Sequence, residues 1–249
     1  MPSPEGIADA IARFEGTFPP EGDERRHFHA VYYRNTLAVE WEVARGAFLD
    51  ATWVAEWDVV FANFYLDALE ISNRGEEPSG PWRLAFEGAR DPRIRPLVHV
   101  LVCMNAHINY DLPQSLLAVM SDDELVDPEV LRRRQVDFER VDETLLRRVK
   151  EEDLELRKVS QPSDYTFLDR VLTPFNRLAS RRFLKESRNK VWRNTLELAR
   201  ARRAGPDAYT ERLAQLEELC RAKVEDLLRP WQVLVRLGVT GFGVLLPPS

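Results

Sequence analysis

The stretch Arg95-Pro-Leu-Val-His-Val-Leu-Val-Cys-Met-Asn-Ala-His-Ile-Asn-Tyr-Asp-Leu-Pro113 decides the fold. Pro96 suits a first helical turn and Pro113 disfavours helical backbone at Leu112, so the two prolines predict a bracketed helix of about 16 residues. From Leu97 to Met104 no polar stripe interrupts the apolar residues except His99, and a helix apolar all round belongs in the middle of a bundle. Yet Asn105, His107, Asn109 and Asp111 follow on the same helix. Buried groups of this kind must be paired, which makes the stretch both the expected core and the expected site.

Working outward, the flanking segments also read as helices. Ile7 to Phe14 forms a short amphipathic piece. Asp23 to about Phe48 carries a stripe of Phe28, Val31, Tyr32, Val39 and Val43, with His27 and His29 expected at the surface. Asp50 to Ile71 is crowded with aromatic and aliphatic residues around Asp58, Asn63 and Asp67. After Pro113 a helix is expected over about 114–120, and Ser121 to Glu124 reads as a cap and first turn. A charged helix should run from Pro128 to about Lys158, broken at Gln161 to Asp164. Two long helices over about 165–204, interrupted at Pro174, and 207–235, stopped or kinked at Pro230, complete the chain. No sustained period-two alternation appears. The expectation is therefore an all-α, single-domain multi-helix bundle over residues 1–249, built around a buried central helix at about 95–111.

Composition narrows the function. The chain has 249 residues, a formal charge of -6 and two cysteines, and its pI is near 5.4. Such a balance disfavours a polyanion as partner, so no nucleic acid is expected. The amino terminus has acids where a signal peptide would have bases, and no run approaches a membrane span. A cytoplasmic protein is expected, with a homo-oligomer left open. The basic run from Arg177 to Arg203 reads as a solvated face, apart from Arg188, which beside Val191 and Trp192 should turn inward to meet a carboxylate or an anionic substrate.

His107 and Asp111 are four apart and share a helix face. There they can act as an acid–base pair or supply two ligands to a single divalent metal. The plainer alternative is that Asp111 caps the next helix and His107 is a satisfied core residue. Asp58, among Trp57, Phe61 and Tyr65, is expected as a third member, either a second acid or a ligand. Asn105 and Asn109 face away from His107, where they either line a pocket or satisfy backbone groups freed near the helix end. The latter is favoured. Tyr110, Asn63, Tyr65, Trp57 and Arg188 complete the candidate substrate-binding residues. No phosphate loop, nucleophile elbow or dinucleotide fingerprint occurs, so no nucleotide or flavin is expected.

The words Val-Phe-Ala-Asn-x-Tyr-Leu at 60–66 and Met-Asn-Ala-His-Ile-Asn-Tyr-Asp-Leu-Pro at 104–113 resemble a bacterial all-helical family without an assigned activity. The resemblance runs over most of the chain, with weaker positions at Asp137, Phe138, Val141 and Asp142 and at Arg188, Val191 and Trp192. It implies the fold and marks Asn105, His107, Asn109 and Asp111. Family members often carry histidine where Tyr110 stands, which removes one ligand or proton carrier here. His107 and Asp111 followed by Pro113 also resemble, distantly, helical zinc phospholipases and nucleases, but those gather several histidines and this chain has four in all.

The functional expectation is an enzyme for a small hydrophobic metabolite, working by cyclisation, elimination or hydrolysis, cofactor-free or with one metal. The rival is a non-catalytic helical binding or scaffold protein. An enzyme needs a cavity that reaches His107, whereas a scaffold fills that space with side chains.

Overall fold

The computed structural model describes residues 4–159, 167–230, 233, 237 and 240–248, with side chains described for these except at 4–5 and 146–184. Its regular elements are helices α1 (Pro4–Gly16), α2 (Arg25–Ala44), α3 (Ala51–Asn73), α4 (Gly80–Gly88), α5 (Pro96–Ala106), a π-helical turn (His107–Asp111), α6 (Leu112–Ala118), α7 (Pro128–Val159), α8 (Phe167–Ala204) and α9 (Pro206–Leu228). Among the described residues there is no strand, so the fold is all-α. No helix among them is long and apolar enough to cross a membrane.

Local chemistry sets many of the ends. The Asp50 carboxylate accepts from the Trp53 backbone N–H at 3.0 Å and starts α3. Gly205, at φ 137°, and Pro206 start α9. Ser121 and Glu124 form a reciprocal capping box, with backbone N–H donors bonded at 2.9 and 3.2 Å. The box closes a series of turns rather than a helix, and α7 begins only at Pro128. Arg202 reaches back from α8 to the end of α6, donating to the Leu117 and Met120 carbonyls at 2.9 and 3.1 Å.

Three expectations are corrected. Pro113 does not end the central helix, because Leu112 is helical at φ -62°, ψ -43°. The Leu112 N–H bonds to the carbonyl of His107, five residues back, and this widened turn relieves the clash a proline ring makes with the preceding turn. The helix therefore continues into α6. Pro174 does not interrupt α8, which is continuous from Phe167 to Ala204. His29 is not a surface residue but fully buried. The proposed break at Gln161 to Asp164 lies outside the described residues, whereas Pro230 does lie just past the end of α9.

The core gathers α2, α3, α4 and α9 around α5 and its π turn, with Val54, Leu66, Leu69, Val102, Leu112 and Leu216 fully buried. Arg188, expected to turn inward, is 2 % exposed. Its guanidinium pairs with Asp142 and lies 3.9 Å from the centroid of the Phe138 ring. Removing one partner of a buried pair strands the other charge, at a cost of about 3–5 kcal/mol. Asp142→Ala should therefore lower the stability measured by urea unfolding by about that amount. Asp142→Leu combined with Arg188→Met should recover most of the loss.

Candidate functional site

The π turn places two polar faces on one buried helix. On the first, His107 Nδ1 and Asp111 Oδ2 are 2.9 Å apart, and the Trp82 indole N–H donates to the same oxygen at 2.8 Å. Asp111 is thus the centre of a three-residue bond set between α4 and the π turn. It makes no side-chain cap to α6. Burial pushes the Asp111 carboxyl well above the usual carboxylate range and the His107 imidazole well below the usual histidine range. Both effects favour a pair without net charge.

Five aromatic rings surround the imidazole. Phe61 stacks on it with centroids 3.7 Å apart and planes 5° apart, and Tyr32 follows at 4.4 Å. Phe28, Tyr65 and Trp82 close the remaining sides at 6.0 to 6.3 Å. His107 is left 3 % exposed. A surface pocket lined by residues 20–25, 89, 90 and 92 includes none of the candidate site residues.

Several polar atoms in this region are buried without a partner in the structure: His107 Nε2, the Tyr32 hydroxyl, Thr36 Oγ1 and Asp58 Oδ2. Asp58 is bonded to neither His107 nor Asp111. It approaches them through Tyr32, whose hydroxyl is raised well above its ordinary range by burial first and then by the Asp58 and Asp111 carboxyls. Burial and the neighbouring Glu40 push Asp58 itself up to about 8. The carboxyl therefore keeps its proton at neutral pH.

The second face behaves differently. The amides of Asn105 and Asn109 both donate to the Phe242 carbonyl, at 2.7 and 3.2 Å, and Asn109 also donates to the backbone carbonyl of Asn105 at 3.1 Å. Only the Asn105 carbonyl is backbone freed near the helix end; the acceptor that both amides share belongs to the chain's carboxy-terminal segment. Other candidates disperse. The Tyr110 hydroxyl donates to Glu217 on α9 at 3.4 Å, and the Trp57 indole to Ser115 at 3.1 Å. Asn63 accepts from Arg13 at the α1–α3 contact at 2.8 Å. Arg188 serves Asp142, on α7, rather than the His107 face.

Tyr65 stays beside His107 but donates its hydroxyl proton to His29 Nδ1 at 3.0 Å, while His29 Nε2 donates to the Phe14 carbonyl at 2.9 Å. Burial lowers the His29 pKa, in keeping with a neutral ring that donates from one nitrogen and accepts at the other. Sequence reasoning missed Trp82, Tyr32, Thr36 and His29 as parts of this region. Trp82 carried a weak signal, as an indole opening a short helix after a proline-rich loop, because a buried indole N–H needs an acceptor.

The metal expectation fits poorly. Among the described residues no three His, Cys, Asp or Glu side chains converge in a way that could hold a metal ion. His107 and Asp111 direct Nδ1 and Oδ2 at each other instead.

Asp58 makes a pH prediction. The unfolded chain releases the Asp58 proton near the ordinary value of about 4, while the folded chain holds it up to about 8. Between those values the folded state binds more protons, so this residue contributes stability at acid pH that is lost as pH rises through the window. Asp58→Asn should remove that contribution to the slope. Melting temperatures measured from pH 4 to 9 should show the variant gaining on the wild type toward pH 8, and parallel curves would place the proton elsewhere.

A family model described as a family of unknown function, DUF5995, matches residues 5–230. No curated protein and no solved structure matches the chain.

Proposed function

The chain belongs to that family of unknown function, and from the site itself we propose a cytoplasmic enzyme that acts on a small hydrophobic metabolite by acid–base chemistry. The observation that carries the reading is the set of buried atoms without partners: His107 Nε2, the Tyr32 hydroxyl, Asp58 Oδ2 and Thr36 Oγ1. A core kept only for packing pairs or removes such atoms, since each unsatisfied buried group costs about 1–3 kcal/mol. A substrate's polar group would satisfy them once the Phe61 ring, stacked on His107 at 3.7 Å, moves aside to admit it, and Phe28 and Tyr65 would supply the apolar wall.

In this reading neutral His107 accepts the proton at Nε2, its Nδ1–H being donated to Asp111 Oδ2, and Asp111, held by Trp82, orients the ring. Protonated Asp58 and the Tyr32 hydroxyl are the donors on the opposite side. Elimination or cyclisation needs both functions at once, and hydrolysis would further require a water beside His107. The two free, buried thiols, Cys103 and Cys220, suit a reducing cytoplasm.

The enclosure of His107 by five rings favours a second reading, a non-catalytic scaffold or binding protein whose polar helix fixes the register of the bundle. The two readings separate on His107→Gln and Asp111→Asn. Acid–base chemistry predicts that Asp111→Asn melts no lower than wild type, because a buried carboxyl is a burden on the fold. It also predicts that the wild type depletes at least one apolar metabolite from a cell extract followed by mass spectrometry, and that both variants do not. A scaffold predicts no depletion by any form, and a marked fall in melting temperature for Asp111→Asn as the Trp82 and His107 bonds are disturbed.

A further inference from the structure

The segment Phe242 to Pro247 lies extended against α5, the π turn, α8 and α9, and side chains of those elements bond seven of its backbone groups. Asn105 and Asn109 donate to the Phe242 carbonyl. Glu186 accepts from the Gly243 N–H at 3.2 Å, and Lys190 donates to the Gly243 carbonyl at 3.0 Å. Asn109 accepts from the Val244 N–H at 3.0 Å. Asn194 donates to the Val244 carbonyl at 3.2 Å and accepts from the Leu246 N–H at 2.9 Å, and Arg212 donates to the Pro247 carbonyl. Asn109 and Asn194 each grip both a carbonyl and an N–H, two residues apart, which is how a side-chain amide reads an extended backbone whatever the side chains it carries.

Side-chain selectivity comes from two other features. Phe242 and Leu246 are buried in the core at 5 % and 2 % exposure, on the same side of an extended chain of period two or four. At Gly243 a Cβ would lie 2.7 Å from Ser187 Cα and 2.9 Å from Lys190 Cδ. Only glycine fits there. Backbone bonds that give affinity and pockets that give specificity are the two parts of a peptide-recognition site. The family match ends at residue 230, so the groove's residues Asn105, Asn109 and Asn194 lie within the matched region and the segment they hold lies beyond it.

We propose that this groove is a binding site for an extended peptide of pattern Phe-Gly-x-x-Leu, filled in cis by residues 242–246 and open to the same segment of a second copy when the cis segment leaves. The inference does not depend on the reading of His107, although both faces belong to one helix and Asn109 lies within the π turn that sets the His107–Asp111 pair.

The test uses the full chain. In Gly243→Ala the cis segment no longer fits, and a fluorescent peptide with the wild-type sequence of residues 240–249 should bind saturably, one per chain, by anisotropy. The wild type should bind it at least tenfold more weakly, because its own segment competes at an effective concentration of about millimolar. Adding Asn109→Ala to the Gly243→Ala chain, or replacing the glycine of the peptide by alanine, should each weaken binding tenfold or more. Folded Gly243→Ala protein that binds no peptide, or binds a scrambled one equally, would overturn the proposal. Hydrogen exchange on the wild type decides the matter even where that variant fails to fold. The Val244 and Leu246 amides should exchange far faster than that of Leu66 in α3, by release of the segment alone. Exchange of both only through global unfolding would make the segment ordinary core and sink the idea.

Discussion

A helix buried on every side cannot leave its polar groups to water, and that constraint shapes what surrounds residues 96–118. The pair His107 and Asp111 needs a donor on Asp111 and apolar cover on His107. Trp82 supplies the first at 2.8 Å and the stacked ring of Phe61 the second at 3.7 Å. Asn105 and Asn109, turned the other way, need backbone partners and find them in the segment after residue 240. Helix α4 and the carboxy-terminal segment are thus fixed to the central helix from opposite sides by polar bonds, within a core otherwise held by apolar burial.

The π turn is what lets both faces exist on one continuous helix. A proline at 113 would ordinarily force a kink, since its ring meets the carbonyl of the preceding turn and its nitrogen has no hydrogen. One extra residue in the turn makes room, and the carbonyl of Asn105 is taken up by the Asn109 amide. Widened turns of this type are frequent at functional sites. Here the widened turn holds His107, Asn109 and Asp111 together, so its geometry is shared by the His107–Asp111 bond and by the Asn109 bonds to the carboxy-terminal segment.

Unpartnered polar atoms give the His107 side its chemical character. The amide N–H groups of Asn105 and Asn109 find backbone acceptors, while Asp58, Tyr32, Thr36 and also Asn105 Oδ1 leave oxygens buried without a partner. Desolvation favours the protonated forms of Asp58 and Asp111 and the neutral form of His107, so burial disfavours charge on each of them. Such groups can exchange protons with an uncharged ligand without first separating charge in a medium that disfavours it.

Periodicity and punctuation in the sequence were enough to determine the all-α class, the buried character of the central helix, the shared face of His107 and Asp111 and the inward turn of Arg188, because each follows from local spacing on a helix. What only the tertiary structure decided were the partners. Nothing near Trp82 in sequence announces Asp111, 29 residues away, and nothing near Phe242 announces Asn105. His29 reads as a surface residue because Tyr33, Thr36 and Glu40 continue its stripe, and it is buried because Phe14 and Tyr65 come from two other helices to bond both ring nitrogens. Pro113 read as a stop because a proline's local preference is against helix, a preference of a few kcal/mol that the packing of Leu112 and Leu116 in the core overrides through the π turn. Local spacing fixes which groups must be satisfied; the packing of distant helices chooses what satisfies them.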